Sequence, residues 1–438
     1  MFAKIRPLLP LGAVNNSLIL TSLPGNRVLV DCGATKVVRK QIHQPSRVNL
    51  DFLRRIRHLD FLKFNSIHIH KGRFPMKRTI TLVAGLFLLL QSAIFAQGKF
   101  SGYMFGDYYF NVAKDPGYAG LANSAANGAS PGGTAFQAFQ IRRVYFAYDN
   151  DISEKFTTRF RLEMDPSASL LASNKIGVYV KDAYLAWKNI FSGSNLVFGI
   201  QPSPTFDASE TYWGYRSLEK TIMDLRGIVP SRDYGVALKG ALAGNGMIGY
   251  WVMFANGSGN SPETDKYKRY YGQVSIKPND NLYAMVNFDF QDRAQIANPY
   301  SAGTKVDDGT TTASAFITYM QPGTFKIGLE AFTQSTSNGF NNGTALSSKS
   351  ALGISVWASA DLQSDLAVVA RYDNFDPNTD SKSKGDMRNL ILAGLDWKVD
   401  KNVHIEPNIY DESYEAPTGG SAPKAALTGR VTLYYVFL

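Results

Sequence analysis

The joins between the patterned segments of this chain alternate in length, long then short, from residue 99 to residue 438. That rhythm constrains the fold more than any other feature. About sixteen short segments carry apolar residues at every second position with polar residues between them, the period of a strand with two unlike faces. In residues 156–164, Phe156, Thr158, Phe160, Leu162 and Met164 share one face, and Thr157, Arg159, Arg161 and Glu163 share the other. One such strand could equally belong to a soluble sandwich with its apolar face inward. Sixteen of them, with short and long joins in strict alternation, predict an all-β chain: a closed antiparallel transmembrane barrel. A barrel of that size leaves an aqueous channel.

The expected strands are 99–112, 135–149, 154–165, 176–189, 194–201, 232–241, 246–256, 267–277, 281–291, 310–320, 323–334, 349–362, 365–375, 387–398, 402–411 and 425–438. Joins after even strands are a few residues of Gly, Asn, Asp, Ser or Pro, as tight turns require. Joins after odd strands are longer, including 202–231, 292–309 and 335–348. Tight turns belong on the periplasmic side, which places both ends of the barrel there. The last ten residues, GRVTLYYVFL, alternate and resemble the terminal assembly signal of outer-membrane barrels. That implies the barrel-assembly machinery as a partner, although here Leu438 follows the expected terminal Phe437.

Before the barrel, residues 76–96 read as an export signal: Lys77 and Arg78, then an apolar run over 82–90, then Ala96 before the cut. A signal needs an accessible N-terminus, so residues 1–75 read as an over-long, disordered start. Charge agrees with this division. The whole chain has a net charge of +10, and residues 1–75 hold 13 Lys and Arg against 3 Asp and Glu, so they account for all of it. After the signal, 31 basic residues face 33 acidic ones, which removes the charge argument for nucleic-acid binding. Cys32, the only cysteine, and four of the five histidines precede the signal, leaving His404. No disulfide, thiolate site, His-cluster metal site, cofactor or catalytic constellation is therefore expected.

The longest join, 202–231, is the third long one. It carries Glu210, Tyr212, Trp213, Tyr215, Arg216, Lys220, Asp224 and Arg226, too aromatic a set for a freely waving loop. In general porins the third long loop folds inward and narrows the pore, and the same is expected here, with an ordered extracellular loop as the alternative. Strand parity adds lumen candidates of both signs: Arg159, Arg161, Asp233, Lys239, Arg371 and Arg430 among others. Arg143 is included although its strand is apolar on both faces. Opposed charges across a pore set up a transverse field that screens solutes by size and polarity.

Residues 140–148 (QIRRVYFAY), 156–163 (FTTRFRLE), 180–187 (VKDAYLAW), 198–201 (FGIQ) and 230–236 (PSRDYGV), in that order, resemble the phosphate-selective porin O and P family. The resemblance implies a sixteen-stranded outer-membrane porin, typically a homotrimer in outer-membrane lipid. Gln201 stands where the family often has Lys before Pro, and the long loop lacks a basic cluster. The expected function is passive diffusion of small polar or anionic solutes, with phosphate among the candidates. The alternative is a closed-lumen barrel, structural or adhesive, or an enzyme built around His404.

Overall fold

The computed structural model describes residues 98–115, 133–166, 176–242, 246–379 and 385–438. The expected leader and export signal lie outside these residues.

Sixteen strands follow one another along the chain. They begin with β1 (Lys99–Ala113), β2 (Gln137–Asp151), β3 (Phe156–Asp165), β4 (Gly177–Phe191) and β5 (Ser194–Pro202). After the longest join come β6 (Arg232–Ala241), β7 (Ile248–Ala255), β8 (Arg269–Ile276), β9 (Leu282–Ala297) and β10 (Lys305–Gln321). The rest are β11 (Phe325–Asn341), β12 (Leu346–Gln363), β13 (Leu366–Asp376), β14 (Arg388–Asp400), β15 (Val403–Tyr414) and β16 (Ala426–Val436). Each pairs antiparallel with its sequence neighbours, and β1 pairs with β16, Tyr103 opposite Val436, to close the barrel. Closure leaves no unpaired edge, the condition a sheet must meet in hydrocarbon.

The two faces divide as alternation requires. On β9, Val286, Phe288 and Phe290 are exposed on the outside while Asn287 and Asp289 are buried inside. An outward apolar belt of this kind is the lipid-facing surface of a transmembrane barrel. Aromatic pairs sit near both rims of the belt. Phe156–Trp187 and Tyr319–Phe325, with centroids 5.5 and 5.9 Å apart, lie at the tight-turn end. Tyr108–Phe139 and Phe254–Tyr270, at 4.9 and 5.2 Å, lie toward the other end.

Two joins are shorter than expected. The β9–β10 ladder continues to Ala297 opposite Lys305, and β11–β12 to Asn341 opposite Leu346, so only 298–304 and 342–345 remain as loops. Apolar alternation stops near Gln291 and Gln334, whereas backbone pairing does not. Alternation marks the lipid belt; hydrogen bonding carries the hairpins beyond it into water.

The inward face is not uniformly polar. Phe316, Phe332, Trp357, Val369, Leu390, Leu392 and Tyr410 all point inward and are buried. They pack against Phe206, Trp213, Leu218, Ile222, Met223 and Leu225 from the join between β5 and β6, in two apolar clusters. Each of these fully buried side chains stabilises the arrangement by roughly 1.5–3 kcal/mol.

Candidate functional site

The site consists of the segment 203–231 and the strand wall it touches. The segment holds two short helices, α1 (Asp207–Trp213) and α2 (Ile222–Leu225). Gly214 ends α1 at φ 71°, the left-handed turn that glycine adopts without strain, and its N–H reaches Glu210 O at 3.1 Å.

A backbone placed in such surroundings must have its carbonyls satisfied. Inward-facing side chains do this. Arg142 Nη1 donates to Ser217 O at 2.6 Å and Leu218 O at 3.0 Å, and Arg430 donates to Leu218 O at 3.2 Å. Lys326 Nζ donates to Trp213 O at 2.8 Å, Gln334 to Ile228 O at 2.7 Å, Gln273 to Pro204 O at 2.6 Å and Asn287 to Thr205 O at 2.9 Å. Arg371 donates to Lys220 O. Wall carboxylates complete the set: Ser209 donates to Glu330 at 3.1 Å, Ser217 to Glu406 at 2.9 Å, and Arg226 pairs with Glu412 at 2.7 Å.

Two β-bulges shape the wall opposite. In β1–β2 the register slips so that Phe105 opposes Arg143 and Gly106 opposes Ile141, leaving Arg142 as the extra residue. In β3–β4, Arg161 opposes Asp182 and Leu162 opposes Val180, leaving Lys181 as the extra residue. A bulge breaks the period of two, so consecutive side chains share one face. Arg142 and Arg143 both turn inward and are buried, and Lys181 joins Asp182 inside.

The wall charges are arranged in clamps. Glu163 lies between Arg143 at 2.7 Å and Lys181 at 2.9 Å. Asp182 lies between Arg161 at 2.7 Å and Arg232 at 2.6 Å. Arg143 also reaches Asp165 at 3.0 Å. Facing them, the segment presents Asp207, Glu210 and Asp224 with Arg216 and Lys220; Arg216 pairs with Glu210 at 2.9 Å, and Lys220 lies 3.8 Å from Asp224. The wall carries more cations than anions, and the segment the reverse.

Environment separates the two segment carboxylates. Burial and neighbouring Asp224 push Glu210 above its ordinary 4.5, against Arg216. Burial also opposes the charge on Asp224, but Lys220, Arg216 and Lys181 outweigh it and hold that carboxyl below its ordinary 3.8. Acidification from neutral pH therefore neutralises Glu210 first and leaves the site one charge more positive. If the lumen conducts, reversal potentials in a KCl gradient are expected to move toward the anion side as pH falls through the Glu210 transition. Glu210→Gln should show the raised preference already at neutral pH and lose that step.

Four cavities lined by described residues share lining residues along the lumen. One of about 650 Å³ lies at the long-loop end, near Gly339 and Lys349. It shares Lys220, Asp224 and Ser231 with one of about 250 Å³. That one shares Lys181, Arg216 and Arg232 with a third of about 260 Å³. The third shares Tyr103 and Arg216 with a fourth of about 470 Å³ at the tight-turn end, beside Lys401 and Val436. The two small central cavities are the ones lined by the clamps.

The residues singled out from sequence fall into two groups. Arg143, Arg161, Glu210, Arg216, Lys220 and Asp224 come together around the central cavities. The others do not. Arg226, with Glu412, and Arg371, bidentate to Asp373 at 2.8 and 2.5 Å, fasten the segment. Arg430 does so too, with its Nε also on Asn408 at 2.8 Å. Asp233 is fully buried and accepts from Gly257 N and Tyr271 Oη, a structural role. Arg159 is bidentate with Asp149 at 2.7 and 2.9 Å near the tight turns, and Lys239 lies over the Trp251 ring at 4.3 Å. Sequence reasoning missed Lys181, Arg232, Tyr103 and Tyr145, which line the third cavity. Adjacent charges within one strand, Arg142–Arg143 and Lys181–Asp182, were the available signal. Without a bulge, one of each pair would face lipid at about 2–4 kcal/mol for a midplane Arg or Lys.

Known structures agree on the closed sixteen-strand antiparallel barrel. The channel DcaP of Acinetobacter baumannii matches at 10% identity over 78% of this chain and 97% of its own, with a TM-score of 0.54. The anion-selective porin of Comamonas acidovorans matches at 14% identity over 78% and 100%, with a TM-score of 0.52. OmpF of Salmonella typhi matches at 11% over 78% and 98%, with a TM-score of 0.51. No protein-family model and no curated protein sequence matches the chain.

Proposed function

We propose that the protein is an outer-membrane porin, a water-filled channel for passive diffusion of small polar solutes with a preference for anions. The run of four cavities, each sharing lining residues with the next from one end of the barrel to the other, carries this reading. The segment 203–231 is its constriction: it lies against the inward faces of β2, β8, β9, β11, β13 and β16 and leaves its narrow space beside β2–β6. Solutes cross between cation-rich wall clamps and the segment's carboxylates, a transverse field that orders water and favours small polar solutes. The wall cations, Arg143, Arg161, Lys181 and Arg232, give anions the more favourable side. Phosphate, the anion named by the sequence resemblance, is the first to try.

The same reading gives the chain a homotrimeric state, assembly through its C-terminal strand, an export signal at 76–96, and transport rather than catalysis. Single-channel recording of the purified protein in a planar bilayer tests it. Stable open steps, a reversal potential on the anion side in a KCl gradient, and current reduction by phosphate are expected. A folded, heat-modifiable barrel that never conducts would overturn the channel reading.

A further inference from the structure

We propose that Asp396, His404 and Glu406 form a binding site for a divalent transition-metal cation of the Zn²⁺ or Co²⁺ type at the tight-turn end of the lumen. The three residues come from neighbouring strands β14 and β15 and present one donor atom each, all within 4.8 Å of one another. They line the cavity of about 470 Å³ that opens beside the β14–β15 turn. Zinc takes an imidazole nitrogen and carboxylate oxygens at about 2.0–2.2 Å, so binding would draw Glu406 inward and exchange the His404–Asp396 hydrogen bond for bonds to the metal.

Two carboxylates on the facing strands of one ladder repel each other, and a proton or a cation between them relieves the repulsion. Glu406 is 2% exposed, its Oε1 accepts from Ser217, and its Oε2 has no hydrogen-bond donor. Among the described residues it has no ion-pair partner, although Lys398 faces His404 across the ladder and Lys401 lines the same cavity. His404 is held by Asp396, Nδ1 to Oδ1 at 2.7 Å, with the Tyr434 ring edge-on at 5.2 Å. That contact orients the imidazole before any metal binds. A set of one nitrogen and two oxygens selects borderline metals over Ca²⁺ and Mg²⁺, which take shells of oxygen. Three protein ligands leave a coordination position open to the cavity's water.

The site reaches the constricting segment through Ser217, and Arg216 lines the same cavity. A bound dication there narrows the tight-turn mouth and adds positive charge to it. That effect on current rests on the channel reading; the site itself does not.

The test uses protein extracted from membranes in detergent and stripped with chelator. Co²⁺ is titrated against it with the visible d–d bands as readout, and Zn²⁺ is then added. One Co²⁺ per barrel, displaced by Zn²⁺ and lost in both His404→Gln and Glu406→Gln, is expected. Both variants should keep the heat-modifiable mobility of a folded barrel; His404→Gln, at the half-buried position, secures the comparison if the other misfolds. In bilayers, Zn²⁺ on the tight-turn side should lower the conductance of the native channel and leave the His404→Gln channel unchanged. A folded barrel that binds no Co²⁺, or variants that bind it as the native protein does, overturns the site. Co²⁺ binding by a barrel that never conducts supports the site while the channel reading falls.

Discussion

Replacing Arg226 by Met is expected to unfasten the segment 203–231 and turn a quiet channel into a larger, flickering one. The Arg226–Glu412 pair, 2.7 Å apart, is fully buried on both sides, with the Phe375 ring 5.3 Å from the guanidinium. Removing one member of a buried pair strands the other charge, at a cost of about 3–5 kcal/mol. Among the segment's other anchors, Gln334 to Ile228 O and Asn287 to Thr205 O are neutral bonds worth about 0.5–1.5 kcal/mol each, and those from Arg142, Arg371, Arg430 and Lys326 to its carbonyls are worth about 1.5–3 kcal/mol each. One substitution thus removes the buried ion pair at the end of α2 and strands Glu412 in the wall. The barrel's own ladder hydrogen bonds do not pass through the segment, so heat-modifiable mobility should stay unchanged while conductance and current noise rise. Joint replacement, Arg226→Met with Glu412→Leu, leaves no stranded charge and should restore much of the native conductance. A single variant with native conductance and noise would show that apolar packing alone fixes the segment.

The strands were legible because lipid and lumen impose a period of two on every one of them. Phe156–Met164 or Leu282–Phe290 can be read by eye, and all sixteen strands stand where alternation places them. Two kinds of information were hidden. The length of β9–β12 beyond the belt depends on backbone pairing, which polar residues on both faces, such as Asp292, Arg293 and Gln295, neither announce nor forbid. The site was legible only in part because it is made by exceptions to parity. Counting by twos from Asp182 puts Lys181 on lipid, and the bulge puts it inside. Strands apolar on both faces held a second signal. Leu390 and Leu392 face inward between the outward Ile391 and Ala393, because Trp213, Leu218 and Leu225 pack against that stretch of wall. In a barrel, an inward apolar residue marks where something covers the wall.

Lys181→Glu is expected to reverse the channel's ionic preference. Lys181 lines both small central cavities, with Glu163 at 2.9 Å and Ser231 at 3.2 Å. The substitution removes one positive charge and adds a negative one, so the Glu163 clamp passes from two cations around one anion to one cation beside two anions. A unit charge about 4 Å from a passing ion is worth about 1 kcal/mol in water and more where the walls exclude it. A change of two units, opposite in sign for anions and cations, should therefore shift the anion-to-cation permeability ratio at least tenfold, since about 1.4 kcal/mol is a factor of ten. Lys181→Met, a change of one unit, should give a smaller shift in the same direction. Both effects should shrink in 1 M salt, where the screening length falls to about 3 Å. The outcome also tests the bulge. Were Lys181 on the outer face, as strict alternation demands, Lys181→Glu would impair membrane assembly and leave the selectivity of the barrels that did assemble untouched.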